Sequence, residues 1–253
     1  MAYDFRDKNV WVTGASSGIG LSLAKKLLAE KANVIVTARS LDILQSTFGG
    51  YPNALILSGD LTSLDANQEI VHRAEQAFGQ IDCAILNAGT AEYINVKEFS
   101  FLPFERMMQT NFLSMVKSIQ AALPSIRKSD SPYLIGMSSS VAWQGLPRGE
   151  AYSASKAAIR NLFQGLKIEL NQENIAVSWI CPGFVKTPLT DKNTFDMPFR
   201  ISVEQGVDIL VRELQKQTTE IHFPKRFTSL MKWLSFLPAG FSAKLLKGTV
   251  PAK

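Results

Sequence analysis

The sequence predicts an α/β fold, a doubly wound parallel sheet of about seven strands with helices on both faces. Three observations carry this. Short runs rich in β-branched and small apolar residues alternate with longer runs of helical period from Asn9 to Phe223. Runs such as Asn33 to Ala38 are almost continuously apolar, as strands covered on both faces are. A glycine-rich turn, Gly14 to Gly20, joins the first strand to the first helix. With 253 residues, no internal repeat, no low-complexity stretch and no interior linker, the chain is read as one domain, 1–253, whose last part, 224–253, is an extension.

The elements are expected in this order. Asn9 to Thr13 is a strand, and the helix after the glycine turn puts Ile19, Leu23, Leu27 and Leu28 on its buried side. Asn33 to Ala38 is the second strand, Leu41 to Phe48 a short helix, Gly49 to Asn53 a turn and Ala54 to Ser58 the third strand. Thr62-Ser63-Leu64-Asp65 resembles a capping box opening a helix to Phe78. Ile81 to Asn87 is the fourth strand, Pro103 to Arg127 a long helix, and Tyr133 to Ser138 the fifth strand. A helix from Glu150 to Asn171 follows, then a strand from Ile175 to Cys181. A lid-like stretch from Thr187 to Arg200 leads to a helix over Val203 to Lys216 and a last strand, Glu220 to Phe223.

The net charge of +5 is uneven: six of the 27 basic residues and none of the 22 acidic ones lie from Lys225 onward, leaving −1 on the first 224 residues. The basicity belongs to the tail, and no nucleic-acid partner is expected. Cys83 and Cys181 lie far apart in candidate strands, which suits buried free thiols in a reducing compartment. The N-terminus shows no signal-peptide pattern, and no apolar run reaches the roughly 18 residues of a spanning helix. A cytoplasmic location is therefore expected, with no metal site.

Two stretches carry chemistry. In the first, strand, glycine turn and helix follow one another, with spacing T-G-x-x-x-G-x-G. Gly14 suits the tight turn, while Gly18 and Gly20 would let the backbone approach a pyrophosphate at the positive end of the helix. In the second, Tyr152 and Lys156 are four residues apart on one helix face. A lysine beside a tyrosine favours the phenolate, and bringing a phenol from about 10 to neutrality needs about 4 kcal/mol. The same pair could equally be a packed tyrosine and a solvated lysine.

Taken in order, Thr13 to Gly20, Asn87-Ala88-Gly89, Asn111, a serine thirteen residues before Tyr152, Tyr152-x-x-x-Lys156 and Pro182 to Thr187 resemble the short-chain dehydrogenase/reductase family and its Rossmann-like fold. The resemblance implies an oxidoreductase moving a hydride between a nicotinamide and a carbonyl or secondary alcohol. Tyr152 would be the general acid/base, and Lys156 would hold the nicotinamide ribose and lower the phenol's pKa. Ser139, by its spacing to Tyr152, would bind the substrate oxygen, although Ser140, preceding Val141-Ala142, stays open as an alternative. Asn111 would shape a helix kink and hold a water of the proton relay.

For the cofactor, the resemblance implies contacts from Gly14, Ser16, Ser17, Gly18, Ile19 and Gly20, from Asp60 and Leu61 at the adenine, and from Asn87, Ala88 and Gly89. Pro182, Gly183, Val185 and Thr187 would stand at the nicotinamide. Family members that prefer NAD carry an acid at the end of the second strand. Here Ala38 stands in that place and Arg39 follows, so NADP(H) is expected over NAD(H).

Glu92, Tyr93, Trp143 to Leu146 and Leu189 to Phe199 are candidate substrate contacts. Trp143, Leu146, Phe195, Met197 and Phe199 suggest a lipophilic carbonyl or alcohol. Relatives commonly pair through two long helices, here 103–127 and 150–171, implying a homodimer or homotetramer. In the tail, Phe227, Leu230, Met231, Leu234 and Leu237 recur at helical spacing among Lys225, Arg226, Lys232, Lys244 and Lys247, with Phe241 and Leu245 as a second set. This basic amphipathic segment, 225–247, either lies on an anionic membrane surface or packs over the substrate cleft or a subunit interface. Rivals on the same fold are a non-catalytic NADP(H)-sensing or scaffold protein and a lyase or epimerase.

Overall fold

A computed structural model describes residues 2–193 and 196–247. Seven parallel strands form one sheet: β1 (Asn9–Thr13), β2 (Asn33–Ala38), β3 (Ala54–Ser58), β4 (Cys83–Leu86), β5 (Tyr133–Met137), β6 (Ala176–Pro182) and β7 (Glu220–Phe223). Their spatial order is β3-β2-β1-β4-β5-β6-β7. The helices are α1 (Gly18–Ala29), α2 (Leu41–Phe48), α3 (Leu64–Phe78), α4 (Leu102–Met107), α5 (Ser114–Ile126), α6 (Glu150–Leu170), α7 (Val203–Gln215), α8 (Lys225–Leu234) and α9 (Ala239–Leu246).

Every strand but β7, which faces one core only, sends alternate side chains to two separate cores. Val10, Val12, Val34, Val36 and Ile135 meet Leu23 and Leu27 of α1 and Leu210 and Leu214 of α7. Trp11, Ile35, Ala84, Leu134 and Trp179 meet Ile70 of α3, Ile119 of α5 and Phe163 of α6. Burying one large apolar side chain contributes about 2 kcal/mol, more than most helix caps, so these two faces set the register of the strands.

Three local expectations change. The helix expected over 103–127 is interrupted by a π-helical segment, Met108–Leu113, which carries the buried Asn111. The capping box at the start of α3 is one-sided: the Ser63 hydroxyl accepts from the Ala66 amide, but alanine at that position has no side chain to return the bond. Thr62 turns back to Asp60 instead. The fourth strand is shorter than 81–87, because the Asn87 amide bonds the Thr13 hydroxyl and leaves the ladder.

Cys83 and Cys181 are free and buried, on strands separated by β5. Two strand spacings of about 4.8 Å each put them beyond disulfide reach. Among the described residues, no helix is long and apolar enough to cross a membrane.

Candidate active site

β1 and β4 are neighbours, yet the helices that follow them pack on opposite faces of the sheet. The crevice left outside the strand ends at such a reversal is where α/β sheets bind ligands. A cleft of about 740 Å³ lies here. Its walls include Gly14, Ser16, Ser17, Gly18, Ile19, Arg39, Asp60, Leu61, Asn87, Ala88, Gly89, Ser139, Tyr152, Lys156, Pro182, Gly183, Val185 and Thr187. Stretches scattered over the sequence thus converge on one trough, and Ile19, expected on the buried side of its helix, is partly open to it.

Two expected members stand elsewhere. Gly20 does not line the cleft. It is buried, and a Cβ there would lie 2.3 Å from the Gly14 carbonyl oxygen and 2.4 Å from Asn87 Nδ2. It is small so that α1 can close on the strand ends, while the left-handed backbone belongs to Gly14 (φ 67°) and Gly18 (φ 55°). Asn87 fastens this turn: its Nδ2 donates to the Thr13 carbonyl at 3.0 Å and to the Gly14 carbonyl at 3.3 Å.

Asn111 also stays behind the wall. Its Nδ2 donates to the Thr90 carbonyl (2.9 Å) and to Ser155 Oγ (3.0 Å), and its Oδ1 accepts from the Thr90 amide (2.8 Å). The side chain therefore holds the loop after β4 against α6, where Ser155 Oγ also donates to the Tyr152 carbonyl at 2.7 Å.

At the β2 end, Arg39 is exposed on the wall of the cleft and makes no hydrogen bond or ion pair with another described residue. Asp60 Oδ1 accepts from the Thr62 amide and hydroxyl, and these bonds hold its carboxyl below the usual range.

The Tyr152 phenol lies where this cleft meets a second recess. Burial pushes it up to about 12, partly offset by the nearby Ser139 hydroxyl. Lys156 is buried; its Nζ donates to the Met137 carbonyl at 2.9 Å and lies 5.8 Å from the centre of the tyrosine ring. Burial lowers its ammonium to about 8. In this structure desolvation of the hydroxyl outweighs any lowering by the lysine, whose ammonium lies over the ring.

The run of three serines divides by function. Ser138 Oγ donates to the Lys156 carbonyl (2.8 Å), Ser139 lines both cavities with Tyr152 while its Oγ donates to the Pro182 carbonyl (3.5 Å), and Ser140 opens a 3-10 turn, Ser140–Ala142, at the edge of the recess.

The second recess, about 110 Å³, takes its walls from Tyr93, Val141, Leu146, Phe184, Leu189 and Phe227, with Glu92, Thr190 and Asn193 as polar points. Tyr93 Oη bonds Asn193, bridging the β4 loop to the lid. Trp143, Met197 and Phe199 were expected here and stand elsewhere. Trp143 packs under α8 and donates from Nε1 to Glu220 at 3.2 Å, because that carboxylate sits behind the loop. Met197 is held by Asn193 Nδ2 at 3.3 Å, and Phe199 points to solvent. Phe195 lies outside the described residues.

Val141 and Phe184 are walls that sequence reasoning did not assign, and Phe227 comes from the tail segment whose alternatives included packing over the substrate cleft. Phe227 was legible only as one of several apolar residues at helical spacing, and nothing local says which helix face meets the recess. Among the described residues, no group of three acidic, histidine or cysteine side chains could hold a metal ion.

Residues 8–197 match the family model described as short chain dehydrogenase. A protein of Myxococcus xanthus, named as an uncharacterized oxidoreductase, is 31% identical over 234 residues, covering 90% of this chain and 91% of its own length. An uncharacterized oxidoreductase of Staphylococcus saprophyticus is 32% identical over 218 residues, covering 84% of this chain and 93% of its own. The protein named 11-beta-hydroxysteroid dehydrogenase 1A of Arabidopsis thaliana is 32% identical over 208 residues, covering 79% of this chain and 58% of its own.

Proposed function

The chain belongs to the short-chain dehydrogenase/reductase family of oxidoreductases, which work with nicotinamide cofactors, and we propose that it interconverts a lipophilic carbonyl compound and its alcohol with NADP(H). One observation carries this: Tyr152 and Ser139 both line the place where a long polar trough meets a small apolar recess. A dinucleotide suits the trough and a carbonyl group suits the recess.

The residues present fit the dinucleotide. Gly14 and Gly18 open a backbone approach at the start of α1, Leu61 and Asp60 line the far end, and Lys156, Val185 and Thr187 line the near end. Arg39, which is exposed on the cleft wall and makes no hydrogen bond or ion pair with another described residue, would grip a 2′-phosphate, and Ala38 before it removes the acid that would repel one. The bound cofactor supplies the hydride in reduction and accepts it in oxidation.

The rest is the work of the side chains. In reduction, Tyr152 Oη gives its proton to the carbonyl oxygen while Ser139 Oγ donates a hydrogen bond to the same oxygen. Burial keeps the phenol protonated at neutral pH, as an acid catalyst must be. Lys156, held by the Met137 carbonyl, is the positive charge nearest the phenolate left behind. Asn111 keeps the Thr90 loop and α6 in place through Ser155.

The remaining expectations are carried as part of the same proposal. The chain is one domain that works in the cytoplasm as a homo-oligomer, pairing through α4–α5 and α6, where Leu113 and Ile168 are exposed. The test is a panel of aliphatic, aromatic and polycyclic ketones and aldehydes, with NADPH oxidation followed by absorbance. Turnover that falls when a carboxylate is added to the substrate supports the proposal. NADPH binding without turnover of any carbonyl overturns it in favour of a sensing role.

A further inference from the structure

α8 and α9 each bury one face and leave another open. Phe227, Met231 and Leu234 pack on Trp143, Leu146 and Phe184, and Leu246 joins them from α9. The outward side of α8 carries Arg226, Leu230 and Trp233, which helical spacing sets on one stripe. The outward side of α9 carries Phe241, Lys244 and Leu245 in the same manner. Between them Phe236 is 78% exposed and Trp233 53% exposed, beside the exposed cations Lys225, Arg226, Lys244 and Lys247.

So many large apolar side chains open to water within one short stretch mark a contact surface. Its charge says what kind. From Lys225 to the end there are six basic residues and no acid, while the first 224 residues carry −1. A second copy docking the same patch symmetrically would oppose cation to cation, so self-pairing through it is disfavoured. A tryptophan and phenylalanines at the water line, flanked by lysines and arginine, match an anionic lipid interface, where rings sit among the headgroups and cations meet phosphates. Lys232 takes no part, because it is paired inward with Glu220 and lies over Trp143.

We propose that the outer faces of α8 and α9, with Phe236 between them, dock this protein peripherally on an anionic lipid bilayer. The site is independent of the reaction assigned above.

The experiment uses the full chain and phosphatidylcholine vesicles with and without phosphatidylglycerol, read by co-sedimentation and by tryptophan emission. Binding to the anionic vesicles is expected, weakened by salt and near background on the neutral ones. The double variant Trp233→Ser/Phe236→Ser loses more than about tenfold in binding. Each of Arg226→Glu and Lys244→Glu loses about fivefold. The Trp233→Phe variant keeps sedimenting but loses the blue shift on binding. NADPH binding stays unchanged in all of them, which establishes that they fold. The proposal is overturned by failure to bind anionic vesicles, by equal binding of the wild type and the double variant, or by self-association that those substitutions abolish.

Discussion

Lys232 is ion-paired with Glu220, so the helix after the sheet is tied to the first residue of its last strand. The same carboxylate accepts from Arg160 Nε and Trp179 Nε1, both at 2.9 Å, and from Trp143 Nε1 at 3.2 Å. Burial works against its charge, yet the bonds from Lys232, Trp179 and Arg160 hold it down to about 2. Its ordinary value is 4.5, so between those values the unfolded chain binds the extra proton. Stability is then fully present above about 4.5 and drains away as pH falls toward 2. Glu220→Gln is expected to cost about 3 kcal/mol at neutral pH and to flatten the acid limb of stability, measured by urea unfolding across pH.

Tyr152→Phe should keep NADPH affinity and lose turnover by about a thousandfold or more, because only the transferable proton is removed. Lys156→Ala should weaken both binding and turnover. Fluorescence titration with NADPH beside steady-state kinetics separates the two. If Tyr152→Phe retains most of its turnover, the acid is another group.

Arg39→Asp is expected to weaken NADPH binding by about a hundredfold while leaving or improving NADH binding. The variant touches neither the recess nor the phenol, so the effect belongs in KM for the cofactor. Equal affinities of the wild type for the two cofactors would remove the 2′-phosphate role.

Phe227→Ala opens the recess from the C-terminal side. The expected result is a lower KM for bulkier ketones with a raised KM for small ones, at a cost of about 3 kcal/mol in stability. Kinetics with a size series of ketones, alongside thermal unfolding, checks both parts.

Much of this was legible in the chain. The strands are short, apolar and punctuated by turns, so local pattern sufficed for β2, β3 and β7, which match the expected bounds. The glycine turn was legible from its backbone demands, and the rest of the trough from the family resemblance. What failed depended on contacts between distant segments. Gly20 was assigned to a ligand because its neighbours Gly14 and Asn87 meet it only in the folded chain. The π-helical segment falls where the family resemblance implied a helix kink at Asn111, but its extent, Met108–Leu113, goes with contacts such as the bond between Asn111 and Thr90 that exist only in the folded chain. Trp143 was assigned to the recess on its aromatic character, but its ring nitrogen is claimed by Glu220. The burial of the phenol was not legible, because charge proximity can be read from spacing whereas desolvation cannot.

The long trough takes its walls from Gly14 through Thr190, whereas the recess also needs Phe227 of α8. Synthesis from the N-terminus therefore delivers every residue lining the trough before the helix that walls the recess. On the function proposed above, a product ending before α8 would keep all the cleft residues and lose one wall of the recess, so choice among carbonyls is the property most exposed to C-terminal trimming.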